Sequence, residues 1–151
     1  EGECLRARFA NVVIAAVEDH INFLGDNPVI GPHDANSGSR FPDMSEPYSG
    51  QLRRIASQVS DHPGGIYAAC SIESLRNEEY RERLAALGAD FAGPWIVPEV
   101  IAARQAATKI LAFVSPSGAN YDPRKRVLRD SGVIYAKFEE VCASVLAKVR
   151  A

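Results

Sequence analysis

The sequence has no apolar run approaching the roughly 20 residues that cross a bilayer. It also has no surplus of either charge. Lys and Arg number 17 against 19 Asp and Glu, a formal net charge of −2. Without a basic excess nothing holds a phosphate backbone, which argues against nucleic-acid binding. Cysteine is scarce, odd in number and scattered, at Cys4, Cys70 and Cys142. That pattern fits neither a disulfide framework nor a metal site, and thiols in apolar runs, as at Cys70 and Cys142, are expected reduced and buried. There is no internal repeat, no low-complexity stretch and no linker. The first residues show neither a basic n-region nor an apolar h-region. No glycine loop that would cradle a nucleotide is present. The expectation is therefore a cytoplasmic protein with no membrane segment, no metal and no tightly bound cofactor.

What remains is a globular composition. Of 151 residues, 46% are apolar and 24% charged. That suits one domain over residues 1–151, long enough to bury roughly two thirds of its unfolded surface. Asn11 to His20 carries β-branched residues without alternation, the pattern of a strand covered on both faces. A breaker-rich segment follows, about residues 23–47. Gly25, Pro28, Gly31, Pro32, Gly38, Pro42 and Pro47 forbid regular structure there. A loop of that length inside a domain signals function or disorder, and its apolar residues, from Phe23 to Met44, argue for order. Helical spacing returns over Gln51 to Ser60, a strand over Gly65 to Cys70, and a helix over Asn77 to Leu87 stopped by Gly88. Asp90 to Trp95 reads as a strand. Pro98 opens a helix that runs over Glu99 to Ala107. Lys109 to Ser115 reads as a strand, and Val133 to Val149 as the closing helix. Alternating strands and helices predict an α/β fold with a mostly parallel sheet and flanking helices. In such folds sites gather at the carboxyl ends of the strands, here Glu18 to Asn22, Cys70 to Arg76, Pro94 to Glu99 and Ser115 to Asp122.

The loop carries distinctive words in order. Asp19-His20-Ile21-Asn22 precedes Asn27-Pro28-Val29-Ile30-Gly31-Pro32, and Arg40-Phe41-Pro42-Asp43-Met44-Ser45 follows. Farther on stand Leu87-Gly88-Ala89-Asp90 and Val97-Pro98-Glu99-Val100-Ile101-Ala102-Ala103-Arg104. Together these resemble the purine nucleoside phosphorylase and methylthioadenosine phosphorylase family. The match spans nearly the whole chain but only about the carboxyl-terminal half of a family member. The resemblance implies a nucleoside-phosphorylase-like half-domain, a trimer- or hexamer-based assembly and a small-molecule substrate. It also implies that the phosphate-binding loop and further strands come from elsewhere. A second polypeptide supplying that amino-terminal half is therefore expected, with open sheet edges and apolar faces awaiting it.

Carried over position by position, the family's pocket is altered. Where the family grips its purine with a Phe-Glu pair, this sequence has Leu75 and Arg76. Arginine binds carboxylate or phosphate but accepts no hydrogen bond from a base. Where a serine would bind phosphate stands Trp95, which either lines a pocket or plugs the former one. The base-contacting Asn falls near Gly118, with Asn120 close by. The sugar-contacting His falls near Ser131. Phe41 matches the family's residue that reaches into a neighbouring subunit, and Tyr67 matches a pocket-side Tyr. The candidate substrate-binding set is thus Phe41, Tyr67, Arg76, Trp95 and Asn120. Catalytic residues are not assigned.

The remaining polar residues have simpler readings. Asp19 and His20 read either as a catalytic dyad or, more commonly for a strand-end pair, as a tie for the loop, and His33 and His62 sit in loops. Glu99 compensates a helix dipole. Asn120, Tyr121, Asp122 and Arg124 form either a closing cluster or a loop tip, and residues 124–126 a solvated basic run. Three functions follow from the resemblance. One is a repurposed enzyme subunit acting on a non-purine, anionic substrate by substitution, elimination or glycosyl transfer. Another is a scaffold subunit lending the Phe41 loop to a partner's site. The last is a split but conventional phosphorylase.

Overall fold

A computed structural model of the chain describes residues 2–32, 34, 36, 38–117 and 131–150. The strands are β1 (Gly2–Cys4), β2 (Ala15–Asn22), β3 (Gly64–Ala69), β4 (Phe91–Gly93), β5 (Phe113–Val114) and β6 (Pro116–Ser117). The helices are α1 (Gly50–Ser57), α2 (Ile72–Leu75), α3 (Glu78–Ala86), α4 (Val97–Gln105) and α5 (Ser131–Arg150). A single 3-10 turn, Ala7–Phe9, follows β1.

The sheet order is β5-β2-β3-β4-β1-β6. β2, β3 and β4 run parallel at its centre. β5 is antiparallel to β2, β1 is antiparallel to β4, and β6 is parallel to β1. The parallel centre is as expected, while the flanks make the sheet mixed. β5 and β6 stand at opposite ends of this order, yet only Ser115 separates them. One residue of extended chain spans only about 3.4 Å, so the two ends must meet. The sheet is rolled shut. Val17 N–H donates to the Ala112 carbonyl at 2.9 Å on one side, and Gly2 N–H donates to the Ser115 carbonyl at 3.1 Å on the other. The expectation of open sheet edges at this seam is corrected: residues 112–117 pair with both ends of the sheet.

Closure gives the sheet an inner and an outer face. Ala15, Val17, Tyr67, Phe91 and Val114 fill the inside, with Phe9, Tyr48 and the α4 residues Val97, Val100 and Ile101. The Phe9 and Phe91 rings meet edge-on at 4.5 Å. Outside, α2 and α3 cover Ala68, Cys70 and Ala92 through Leu75 and Leu84. α1 and α5 cover Ile14 through Ala56, Val141 and Val145. The buried Asp90 carboxylate stitches the layers. It accepts from Arg8 Nη2 at 2.8 Å and from Ile66 N–H at 3.0 Å.

Local chemistry sets the element ends. Ser49, Ser71 and Asn77 cap α1, α2 and α3 by accepting from the N–H groups of Leu52, Ser74 and Tyr80. In the long loop, side chains of Asn22, Asn27, Asp34 and Asp43 each accept from the N–H two residues on. These local bonds stand in for regular structure, and they keep the loop against α4, where Arg104 Nε donates to the Asp43 carbonyl at 3.1 Å. The strand expected over 109–115 shrinks to Phe113–Val114. Ala107 breaks the chain at φ +54°, and the Ile110 carbonyl is taken by Ser49 N–H. The strand expected from Asn11 starts at Ala15, because Phe9 to Val12 is a turn. The other boundaries move by a few residues, β1 and α2 had no sequence signal, and β6 falls where the sequence reads as a polar loop from Pro116.

Helices α3 and α4 end alike. Ala89 N–H donates to the Leu84 carbonyl and Gly88 N–H to that of Ala85; Thr108 N–H donates to Ala103 and Ala107 N–H to Arg104. Both are closures in which the residue after the cap turns left-handed. α3 uses Gly88 at φ +102°, but α4 uses Ala107 at φ +54°. A Cβ in that region costs about 1 kcal/mol. Ala107→Gly should therefore raise unfolding free energy by about 1 kcal/mol and Gly88→Ala lower it by at least about as much, read by urea denaturation.

Candidate active site

The site is built where β2, β3 and β4 end. A bulge in β2 decides what faces it. Val17 pairs with Gly65, but Asp19 pairs with Ile66, so Glu18 is an extra residue. Side chains alternate along a strand, and one extra residue exchanges the faces beyond it. Val17 and His20 thereby share the inner face, with His20 opposite Tyr67. Two contacts hold the bulge. The Glu18 side chain lies where a Cβ on Gly64 would stand, and its Oε1 accepts from Arg53 Nη1 at 3.1 Å.

His20 meets Tyr48 there. Its Nδ1 and the Tyr48 hydroxyl share a hydrogen bond of 3.1 Å, the rings edge-on at 5.7 Å. Partial burial lowers the imidazole pKa, only partly opposed by Asp19. Burial, then Asp19 and Tyr67, raise the Tyr48 hydroxyl. At the end of β3, burial and then Glu3 push the Cys70 thiol up to about 11. Near neutral pH these three groups are uncharged. A protonated thiol is a poor nucleophile, and Cys70 lies on the outer face under α2 and α3, so His20 and Tyr48 alone form the hydrogen-bonding pair of the inner face.

The strand ends are stitched together. Phe23 N–H donates to the Ala69 carbonyl at 2.8 Å, and Cys70 N–H to the Gly93 carbonyl at 2.9 Å. Beyond Gly93 the chain makes a strained turn. Ile96 sits at φ +78°, ψ −56°, and Val97 N–H donates back to the Trp95 carbonyl at 3.0 Å. This is a γ-turn with its central residue left-handed, a rare conformation and costly for a β-branched residue. It ends with Trp95 turned outward and α4 beginning at Val97. Strain of this kind gathers at functional sites. Nothing in the residue types announced it.

The expected site residues divide. Trp95 is 53% exposed and Phe41 83% exposed. Trp95 therefore does not plug a pocket within this chain. Arg76 caps α2 at the same sheet end and is exposed. Tyr67 lies fully buried in the inner core beneath these residues. Asn120, with Tyr121, Asp122, Arg124 and residues 124–126, lies outside the described residues, as do Gly118 and His33. Two clefts open elsewhere. One of about 290 Å³ lies between α1 and the first half of β2, and another lies beside Arg6, Gly88 and Asp90. Among the described residues no cluster of His, Cys, Asp and Glu is placed to hold a metal, and no helix is long and apolar enough to cross a membrane. Cys142, expected buried, is only half-buried on α5, and all three cysteines are free.

The neutral His20 has a measurable consequence. Its folded pKa lies below the ordinary value of 6.5, so the unfolded chain binds the proton more readily. Its contribution is complete above about 6.5 and is lost as pH falls from there through the lower folded value. Lowering pH from about 7.5 to about 5.5 should reduce the urea midpoint of the wild type more than that of His20→Gln. Equal losses would place the pH dependence on other groups.

Comparison with known proteins follows this geometry. A model of the phosphorylase superfamily matches residues 5–149. Purine nucleoside phosphorylase 1 of Geobacillus stearothermophilus is 41% identical over 102 residues, which cover 64% of this chain and 37% of that protein. Its Bacillus subtilis counterpart is 37% identical over 108 residues, covering 68% and 40%. The chain spans about two fifths of the length of these relatives. Among solved structures, the schistosome purine nucleoside phosphorylase in complex with hypoxanthine superposes with a TM-score of 0.83 at 22% identity, covering 96% of this chain and 58% of that one. That likeness concerns the fold alone. With the match running from just after β1 into the last turn of α5, the chain belongs to the phosphorylase superfamily.

Proposed function

We propose that this chain is one component of a nucleoside-phosphorylase-like transferase, with a second polypeptide completing its active site. The substrate is a small molecule that directs an anionic group to Arg76 and is not an ordinary purine nucleoside. The observation that supports this most is the open strand-end surface. Trp95 stands exposed beyond β4, at the sheet end where Leu75 and Arg76 replace the expected Phe-Glu pair, and Phe41 is exposed on the long loop, which Arg104 holds near the far end of α4.

Phosphorolysis needs an oriented anion on one side of the anomeric carbon and a hydrogen-bonded base on the other. Arg76 cannot accept from a purine N–H, but it can hold a carboxylate or phosphate through two parallel hydrogen bonds. Trp95 offers a ring face where a hydroxyl donor is expected, and Phe41 reaches outward as a residue lent to a neighbour would. His20, Tyr48 and Cys70 are uncharged, and His20 and Tyr48 contribute shape and hydrogen bonds. Anion activation and proton transfer then fall to residues beyond this sequence. Substitution, elimination and glycosyl transfer at carbon all fit this division.

A second reading is a conventional purine nucleoside phosphorylase in two pieces. The 41% identity to the Geobacillus stearothermophilus protein favours it. The two readings separate on one preparation, the complex purified from its own host and weighed by native mass spectrometry. The first expects a second polypeptide, no phosphate-dependent release of hypoxanthine from inosine, and a blue shift of the sole tryptophan when the partner covers Trp95. Arg76→Ala should then abolish saturable binding of anionic ligands while the mass of the complex stays unchanged. Phosphate-dependent release of base would establish the second reading. A wild-type complex without a second polypeptide would overturn the first.

A further inference from the structure

Helix α5 is apolar over more than the strip it buries. Val141 and Val145 face α1 and the sheet. Beside them runs a second strip, Phe138, Cys142, Leu146 and Val149, with spacings of four, four and three residues. Phe138, Leu146 and Val149 remain 44%, 56% and 51% exposed. At 3.6 residues per turn these positions lie on one face, turned about a quarter-circle from the buried pair. The strip is continuous with the sheet, since the Phe138 ring meets Phe113 edge-on at 6.2 Å. Spacings of three and four on an apolar face are the pattern by which one helix seats another. A side-by-side row of large apolar residues left in water is the signature of an interface.

We infer that this strip of α5 is the seat of an amphipathic helix belonging to the second polypeptide, a deepening that rests on the function proposed above. Two observations favour that occupant. The superposed schistosome structure is covered to 58%, so about two fifths of its length has no counterpart here and must pack somewhere on the shared fold. The seam at 112–117 is already paired on both sides, so the added chain gains little by extending the sheet there and gains most by covering a helix face. A helix with apolar residues at three-and-four spacing fits the strip along three turns.

The test uses the native complex and two readouts. In the first, Phe138→Asp with Leu146→Asp is expressed in the host. Phe138 also meets Phe113, so circular dichroism checks that α5 keeps its packing, and Leu146→Asp alone, turned farther from the buried Val141 and Val145, serves as a second variant. The fraction of chain found with the second polypeptide should fall by about tenfold or more, as charging a packed interface centre does. In the second, a photo-crosslinker is placed on Cys142 in a Cys4→Ser background, where Cys70 is closed to reagents. The adduct should map to a helical segment of the second polypeptide, which needs no folding by the aspartate variant. An undiminished complex in the folded double variant, or an adduct mapping to a second copy of this chain, would overturn the inference and leave the proposed function standing. No adduct on an intact complex would do the same. A wild-type complex lacking a second polypeptide overturns both.

Discussion

The closing of the sheet by residues 112–117 constrains everything else. One short segment gives Val17 a carbonyl on one side and takes Gly2 on the other. Backbone groups at a sheet edge must otherwise be met by water or a neighbour. Closure satisfies them internally and creates an inside small enough for Tyr67, Phe91, Val17 and Val114 to fill. It also sets Gly2 directly behind Val114 and Tyr67, where a Cβ would come within 2.8 Å of the valine side chain. The carboxyl ends of β2, β3 and β4 are thereby gathered at one rim, and the apolar area left over is pushed onto loops and helix faces.

Within that frame the bulge at Glu18 aims the rim. A regular β2 would turn His20 outward and bring Asp19 inward toward Tyr67. The extra residue reverses this, so an imidazole rather than a carboxylate meets the Tyr48 hydroxyl. Burying a carboxylate there would cost far more than burying a neutral imidazole that has a hydrogen-bond partner. Asp19 instead accepts from the His20 N–H at 2.8 Å at the exposed side. The fold selects a rim whose inner titratable groups are neutral, and this follows from one residue of register.

The α/β class, the parallel centre, the breaker-rich segment without long helix or strand among its described residues and the stop at Gly88 were legible in the sequence, because each rests on local chemistry: hydrophobic period, breaker density, a left-handed glycine. The superfamily was legible from words such as Arg40-Phe41-Pro42 and Val97-Pro98-Glu99. Closure was not, since it depends on residues 112–117 pairing with strands about a hundred residues away. The bulge was not, because Glu18 looks like any polar residue in an apolar run. The left-handed Ile96 and Ala107 ran against propensity, tertiary packing overruling a local preference worth about 1 kcal/mol. Arg76 and Trp95 are exposed beyond the strand ends and Phe41 on its loop, so the reading of Trp95 as a plug does not hold, while Tyr67, named by homologous position, went to the core.

The charge state of the rim bears directly on what the chain can do alone. Cys70 holds its proton, His20 is held neutral and Tyr48 keeps its hydroxyl hydrogen. A group transfer at carbon needs at least one activated nucleophile and one stabilised leaving group. The rim offers ring faces, hydrogen bonds and a guanidinium, all of which bind and orient. Orientation alone is worth a great deal once a reactive partner is present, because it removes the entropy of bringing the two together. Among the described residues the rim presents neutral hydrogen-bonding groups and an exposed indole ring, and on the function proposed above the reactive group comes from whatever covers Trp95.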